Sequence, residues 1–102
     1  NTPGTSMYGA GKAALLHFTR SMAAEYASRG IRVNALAPGP VDTTMVRNAG
    51  PESTASMARS NYMKRLGEPD EMVGAVLYMA SDAGSFMTGQ CLTVDGGMVP
   101  AR

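Results

Sequence analysis

The sequence predicts an α/β chain in which a long helix, a strand, two short helices, a further helix and a second strand follow one another. Residues 6–28 carry apolar side chains at three- and four-residue steps, which indicates a helix. Residues 31–37 alternate as a strand does, and residues 90–94 form a second strand-like run. Short connections between alternating helices and strands are typical of a parallel sheet, so we expect the two strands to be parallel.

The first helix and the strand after it have clear ends. Leu15, Phe18, Met22 and Tyr26 form the helical stripe, and Gly30 follows as a residue that commonly ends a helix. Ile31 to Ala37 then predicts a strand that Pro38, Gly39 and Pro40 stop. Apolar residues on both sides of its alternation predict that both of its faces are buried.

The second half begins with an insertion. Residues 43–66 have weak helical periodicity interrupted by Asn48, Gly50 and Pro51, and we interpret them as two short helices. A third helix follows, with Pro69 and acidic residues in its first turn, where the helix dipole favours negative charge. Residues 84–89 form a loop, and Gly96-Gly97 a turn after the second strand.

Composition limits the class of protein. The 102 residues are 44% hydrophobic and 17% charged, with a net charge of +1 and a single cysteine. These values predict one folded domain that binds neither nucleic acid nor membrane and holds no cysteine-based metal, with the cytoplasm as the default location. Two strands alone do not make a stable sheet, so we expect residues 1–102 to be a single partial domain whose N-terminal half is absent.

Two nucleotide-binding motifs are matched only in part. Residues 9–14 (GAGKAA) fit the letters of the dinucleotide fingerprint, but the hydrophobic strand before it and the acid about 20 residues later are missing. A phosphate-binding P-loop also fails, because Ser6 stands at its first glycine and Ala13 at its Ser or Thr. Neither motif is therefore assigned.

The candidate catalytic pair is Tyr8 and Lys12. Residues four apart on a helix share one face, with Cβ atoms about 6 Å apart. A cation ~5 Å away at an effective dielectric near ~20 favours tyrosinate by about 3 kcal/mol, which brings a phenol towards the range useful for acid–base catalysis. From spacing alone an exposed Tyr/Lys pair near a helix start is the more common case, because Tyr-x-x-x-Lys is a short and frequent pattern.

The surroundings of this pair make it specific. They comprise five ordered motifs: YGAGKAAL at 8–15, GIRVNALAPGPVDT at 30–43, RLGEPDE at 65–71, ASD at 80–82, and TGQ with VDGG at 88–97. From about Ser6 to Met98 the chain resembles the C-terminal region of the short-chain dehydrogenases/reductases, especially their ketoacyl-reductase-like members. The resemblance implies the C-terminal portion of a Rossmann-like parallel sheet.

The resemblance also implies roles for individual residues in an oxidoreductase that uses NAD or NADP. Tyr8 matches the proton donor to a substrate carbonyl, and Lys12 the residue that binds the nicotinamide ribose and lowers the tyrosine pKa. The other matches form two groups. Those that meet the nicotinamide end of the cofactor are Pro38, Gly39, Val41 and Thr43, and those in the substrate-binding insertion are Met45, Val46, Met57 and Met63.

Departures from the family pattern leave the activity of the chain open. The Gly-rich cofactor turn and the catalytic serine have no counterpart, and Gly11 replaces the serine more usual before the lysine. Two glycines in the first turns of a helix weaken it by up to ~1 kcal/mol each. The chain is then a fragment of a full enzyme, one half of a split enzyme, or a non-catalytic remnant that self-associates as a homo-oligomer.

Three further residues have simpler interpretations. His17 is expected on the surface of the first helix or at an interface, since no nearby residues complete a metal-binding set with it. Cys91, inside the second strand, is expected to be a small buried side chain. Asp95 with Gly96-Gly97 predicts a turn.

Overall fold

The computed structural model describes the backbone of residues 5–98 and the side chains of residues 9–98. Four helices and two strands follow in the predicted order: α1 (Thr5–Tyr26), β1 (Ala35–Pro38), α2 (Thr44–Asn48), α3 (Pro51–Ala58), α4 (Pro69–Ala80) and β2 (Cys91–Val94). A short 3-10 turn, Ala27–Arg29, extends α1, and a second, Asp82–Gly84, follows α4 after the extended residue Ser81. The long first helix, the two short helices of the insertion and the third helix of the prediction are thus all present.

The end of α1 is fixed by Gly30. This residue adopts a left-handed conformation with φ 74°, and its N–H donates to the Ala27 carbonyl at 3.0 Å. Ile31 N–H then donates back to the Tyr26 carbonyl at 3.3 Å. Glycine reaches positive φ without a Cβ penalty, so the chain reverses here and enters the sheet.

The two strands form one parallel sheet. Ala35 lies opposite Cys91 and Pro38 opposite Val94. A further parallel bridge beyond the strands joins Val41 to Gly67. The prediction of a parallel pair is confirmed.

The predicted start of the first strand at Ile31 is wrong by four residues. Residues 31–34 are not paired in the ladder, because their polar partners come from the loop before β2. The Val33 N–H donates to Thr88 Oγ1 at 3.0 Å, and the Gly89 N–H donates to the Val33 carbonyl at 2.8 Å. The alternation of side chains is the same in a strand and in an extended segment that hydrogen-bonds to a loop, so it could not distinguish the two.

Asn34 ties this extended segment to the loop before β2. Its Nδ2 donates to the Met87 carbonyl at 2.9 Å, and its Oδ1 accepts from the Gln90 N–H at 3.1 Å. The guanidinium of Arg32 donates to the same Met87 carbonyl at 3.0 Å. One side chain therefore sets both the position of the loop and the first register pair of the sheet.

Replacing Asn34 with alanine (Asn34→Ala) is expected to lower the free energy of unfolding by about 1–3 kcal/mol, because two hydrogen bonds of its amide, to the Met87 carbonyl and from the Gln90 N–H, each worth about 0.5–1.5 kcal/mol, are lost. Urea unfolding followed by circular dichroism measures the change. The matched control is Gln90→Ala, which removes an exposed side chain but keeps that N–H. Equal stability of the Asn34 and Gln90 variants would contradict the assigned role.

The helices leave much apolar surface uncovered. Within residues 9–98, Ala23 is the one hydrophobic residue that is buried, with 4% of its surface exposed. Leu77 is 62% exposed and Phe86 is fully exposed. The accessible surface is 7076 Å², against about 5,500 Å² expected for a folded monomer of this mass. The prediction that both faces of β1 are buried is wrong, because residues 35–37 are half-exposed.

No helix in the part of the chain described here is both long and apolar enough to cross a membrane.

Candidate active site at the carboxyl ends of the strands

The carboxyl ends of β1 and β2 touch through backbone at Gly39. Its N–H donates to the Val94 carbonyl at 3.0 Å. A Cβ added at Gly39 would lie 2.8 Å from the Cα of Asp95. Glycine is required because only a residue without a side chain lets the two strand ends approach this closely. This edge is where parallel α/β sheets hold their ligands.

The segment after Gly39 leads directly into α2. Asp42 N–H donates to the Gly67 carbonyl at 2.8 Å, and Gly67 N–H donates to the Pro40 carbonyl at 2.9 Å. Thr43 caps α2, since its Oγ1 accepts from the Val46 N–H at 3.3 Å. The predicted cofactor residues at 38, 39, 41 and 43 therefore lie along one continuous, hydrogen-bonded segment at the sheet edge.

Asp42 and Arg47 form an ion pair on this segment. Arg47 Nε lies 2.6 Å from Asp42 Oδ1, and a second guanidinium nitrogen lies 2.9 Å from Oδ2. The hydrogen bonds from Arg47 lower the pKa of Asp42 below its usual value. The pair fastens α2 to the residue that precedes its cap.

A cavity of about 110 Å³ opens beside the strand ends. Its walls are partly apolar, with Met63 and Met72, and partly polar, with Asn61 and Asp95; Pro40, Arg65, Gly67, Glu71, Val94 and Gly96 complete the lining. Met63 is the predicted substrate residue that reaches it. Met45 and Val46 lie on α2 and Met57 on α3, away from this cavity.

Asn61 is the most deeply buried side chain around the cavity, with 1% exposure. Its Nδ2 donates to the Arg65 carbonyl at 2.8 Å, while its Oδ1 has no hydrogen-bond partner among the described residues. Sequence reasoning missed Asn61, because a single polar residue within an irregular connection gives no periodic signal.

The turn after β2 packs against the end of the insertion. Tyr62 N–H donates to the Gly97 carbonyl at 2.7 Å, and Met63 N–H to the Gly96 carbonyl at 3.1 Å. Asp95 Oδ1 accepts from the Gly97 N–H at 2.9 Å, which confirms the predicted turn. These bonds fix the far end of the insertion to the same sheet edge.

Arg65 and Glu71 form the second ion pair, at the start of α4. The two guanidinium nitrogens lie 2.8 and 2.9 Å from the Glu71 carboxylate. Glu71 Oε1 also accepts from the Glu68 N–H at 2.8 Å, which caps the helix. The hydrogen bonds from Arg65, then that from Glu68, lower the pKa of Glu71 to about 2.

This lowered pKa predicts a pH dependence of stability. A carboxylate whose pKa falls from 4.5 to about 2 on folding stabilises the fold above pH 4.5, and the contribution is lost between about pH 4.5 and 2. The difference in unfolding free energy between the wild type and Glu71→Gln should therefore shrink as pH falls through this window. Urea titrations at several pH values measure it.

The control for the Glu71 experiment removes its main partner. In an Arg65→Gln background the same Glu71→Gln comparison should show a much weaker pH dependence, since only the Glu68 N–H remains. An unchanged slope in that background would contradict the assignment of the shift to Arg65.

Positions 8 and 12 lie one turn apart in the first turns of α1. Their spacing puts both on one face of the helix, as predicted. The side chain of Tyr8 lies outside the described residues, and Lys12 is exposed. Farther along, α1 packs on the loop before β2, where a Cβ at Gly89 would lie 3.4 Å from the Ala23 Cβ.

Residues 9–98 include no cluster of His, Cys, Asp and Glu able to hold a metal ion. His17 is exposed on α1, in line with its predicted surface position. Cys91 is half-exposed rather than buried, because the sheet face around it is only partly covered.

Comparison with known proteins identifies the class of this fold and site. The family model described as enoyl-(acyl carrier protein) reductase matches residues 1–99. Solved structures share the fold: the 3-oxoacyl-[acyl-carrier protein] reductase of Brucella melitensis matches with a TM-score of 0.82 and 42% identity, covering 92% of this chain and 35% of that one.

Two relatives extend the comparison. The cis-4-hydroxycyclohexanecarboxylate dehydrogenase of Sinomonas cyclohexanicum is 46% identical, over 91% of this chain and 37% of its own length. The 3-oxoacyl-[acyl-carrier-protein] reductase of Thermotoga maritima is 42% identical, over 95% of this chain and 39% of its own length. This chain belongs to the short-chain dehydrogenase/reductase family and corresponds to the C-terminal part of its Rossmann fold. It spans less than two-fifths of these relatives.

Proposed function

We propose that this chain is the part of an NAD(P)-dependent oxidoreductase that supplies the proton donor for interconverting a carbonyl compound and a secondary alcohol. The observation that carries the proposal is the Tyr8–Lys12 spacing at the start of α1, in a family member whose strand ends meet at Gly39. The family has a common hydride chemistry, whereas the relatives' names cover different substrates.

A geometric count supports the position of the pair. Lys12 precedes Ala23 by eleven residues, or about 16 Å of helix, and β2 carries the chain from the bend at Gly89 a further four strand residues, or about 13 Å, to Val94. A Cβ at Gly89 would touch Ala23, and α1 leads into β1 through the reversal at Gly30, as a helix that runs back against a parallel sheet does. Lys12 is thus expected to lie level with the carboxyl ends of the strands, beside Pro38 and Gly39.

The residues at this edge fit the nicotinamide end of the cofactor. Gly39 exposes no side chain, and Thr43 uses its hydroxyl oxygen to accept from Val46, which leaves its hydroxyl hydrogen to donate. Pro38, Gly39, Val41 and Thr43 would line the nicotinamide, and Lys12 would donate to its ribose. The bound cofactor supplies the hydride.

The chain's own residues handle the proton. In the reducing direction Tyr8 donates its phenol proton to the substrate carbonyl oxygen, and Lys12 stabilises the tyrosinate that remains. In the oxidising direction the tyrosinate takes the hydroxyl proton. Met63 would contact an apolar part of the substrate in the cavity beside the strand ends, as flexible Met side chains adapt to varied shapes. The same role for Met45, Val46 and Met57 remains a prediction.

A second candidate function is a non-catalytic, self-associating chain. The exposed apolar residues of α4, together with Phe86, favour it, because uncovered apolar surface promotes association. A third case lies between these two: the chain is one half of a split enzyme and is catalytic only when a partner chain completes it. A homo-oligomer, an N-terminal partner segment and a cytoplasmic location remain predictions.

Nucleotide binding separates these functions. The purified chain is titrated with NADH and NADPH while nucleotide fluorescence is followed. The same titration uses a chimera in which residues 1–102 replace the matching C-terminal 39% of the Thermotoga reductase. Saturable binding and reduction of a 3-oxoacyl thioester by the chimera would support the proposal. A folded chimera that binds neither nucleotide would contradict it.

A further inference from the structure

The insertion ends in a tight turn, residues 61–65, that places Met63 at the cavity beside the strand ends. The Lys64 N–H donates to the Asn61 carbonyl at 3.2 Å, and Asn61 Nδ2 donates to the Arg65 carbonyl at 2.8 Å. Met63 and Arg65, on either side of Lys64, both line the cavity. The conformation of this turn therefore decides whether Met63 reaches the cavity.

The backbone of the turn is strained at Lys64. Its φ is 57°, and within residues 5–98 it is the one residue other than glycine with a positive φ. A side chain disfavours this left-handed conformation about 5- to 30-fold. The ammonium of Lys64 donates to the Arg59 carbonyl at 3.2 Å, but this bond is exposed to water. The turn therefore needs a further contact to stay closed.

Asn61 supplies that contact from a buried position. Its side chain is 1% exposed, and a Cβ added at Gly96 would lie 3.0 Å from Asn61 Oδ1. The amide thus fills the space that a glycine leaves in the turn after β2. Because the same amide donates to the Arg65 carbonyl, it joins the far end of the strained turn to the edge of the sheet.

We propose that Asn61 is a positioning residue: it closes the strained turn, holds Met63 at the cavity and thereby sets the affinity for the apolar part of the substrate. The proposal rests on the proposed function, which gives Met63 its substrate contact. Asn61 acts through Met63 and touches no reacting atom. When the amide is removed, the strain at Lys64 opens the turn, and the apparent affinity falls with the fraction of closed molecules.

The first test is the steady-state kinetics of the chimera with Asn61→Ala. The KM for a long-chain 3-oxododecanoyl thioester should rise by up to about tenfold, the population shift that one lost hydrogen bond can cause. The kcat and the nucleotide affinity should hardly change. The KM for a short 3-oxobutanoyl thioester should also stay the same, because it has little apolar surface to place against Met63. An unchanged KM for the long substrate would overturn the proposal.

A second substitution distinguishes positioning from general stability. Lys64→Gly in the Asn61→Ala background should restore the KM, because glycine reaches positive φ without a Cβ penalty and the turn closes without its anchor. The matched control is Asn34→Ala, which also removes hydrogen bonds from an asparagine amide to backbone, but in the loop before β2. It should lower stability without raising the KM. Failure of the glycine to restore the KM, or an equal rise in the control, would overturn the proposal.

Hydrogen exchange in the chain itself gives a readout that needs no substrate. The Met63 and Lys64 amides donate to the Gly96 and Asn61 carbonyls, so both should exchange faster in Asn61→Ala, and Lys64→Gly should reverse the change. Unaltered exchange at both amides would overturn the proposal and leave the proposed function standing. A folded chimera that lacks reductase activity while exchange follows the expected pattern would instead contradict the proposed function, and with it the substrate role of the turn.

Discussion

Replacing Tyr8 with phenylalanine (Tyr8→Phe) is expected to lower the turnover of the chimera by about 10²- to 10⁴-fold, the contribution typical of a general acid. The variant removes one oxygen, and with it the proton that the carbonyl oxygen must receive. Nucleotide affinity should hardly change, because the proposed ribose contact comes from Lys12. Steady-state kinetics with a 3-oxoacyl thioester, together with nucleotide fluorescence, separate the two quantities.

The matched control for Tyr8 is Tyr26→Phe at the other end of the same helix. Tyr26 is half-buried, and its ring lies 5.3 Å from the Arg29 guanidinium carbon. Its loss should leave turnover within a factor of a few. Lys12→Met should instead weaken nucleotide binding and turnover together. A Tyr8→Phe chimera with wild-type turnover would show that another group donates the proton.

The substitution Gly39→Ala is expected to lower the free energy of unfolding by about 3 kcal/mol, at the upper end of the cost of overpacking. Its Cβ would lie 2.8 Å from both Cα and Cβ of Asp95, so backbone must move. Such a movement would also strain the bond from Gly39 N–H to the Val94 carbonyl. Urea unfolding of the chain measures the loss.

The substitution Gly74→Ala serves as the matched control for Gly39→Ala. It adds the same methyl group at an open position on α4 and should stabilise the helix by up to ~1 kcal/mol. In the chimera, Gly39→Ala should also weaken nucleotide binding, because the strand ends that line the proposed site separate. Equal stability of the two alanine variants would show that β1 and β2 tolerate a wider gap.

Much of the fold could be predicted from the sequence because its signals are local. Gly30 has the left-handed conformation expected at the end of α1, and Pro51 and Pro69 begin helices, as the fixed φ of proline favours. The side-chain cap that Thr43 supplies to α2 was not predicted, although it too is a local signal. Each of these features depends on residues within one or two turns, which adjacent sequence specifies.

The candidate site could be predicted only in part. Spacing on one helix was enough to pair positions 8 and 12, and Pro38-Gly39 marked the end of a strand. The approach of Gly39 to Asp95 and the burial of Asn61 against the turn at Gly96 join residues 35 to 56 positions apart. No periodicity reports such contacts, because they depend on how separate elements pack.

The sequence by itself determined the order of the elements, the end of α1 at Gly30, the start of α4 at Pro69 and the family, since these follow from local conformational preferences and from motifs with fixed spacing. Only the tertiary structure decided where β1 begins, because Asn34 and Val33 bond to the loop before β2. It also decided which apolar residues are buried. The pattern of side chains predicts which faces are apolar. A face is buried only where a second surface packs against it, and among the described residues many apolar side chains have no such surface.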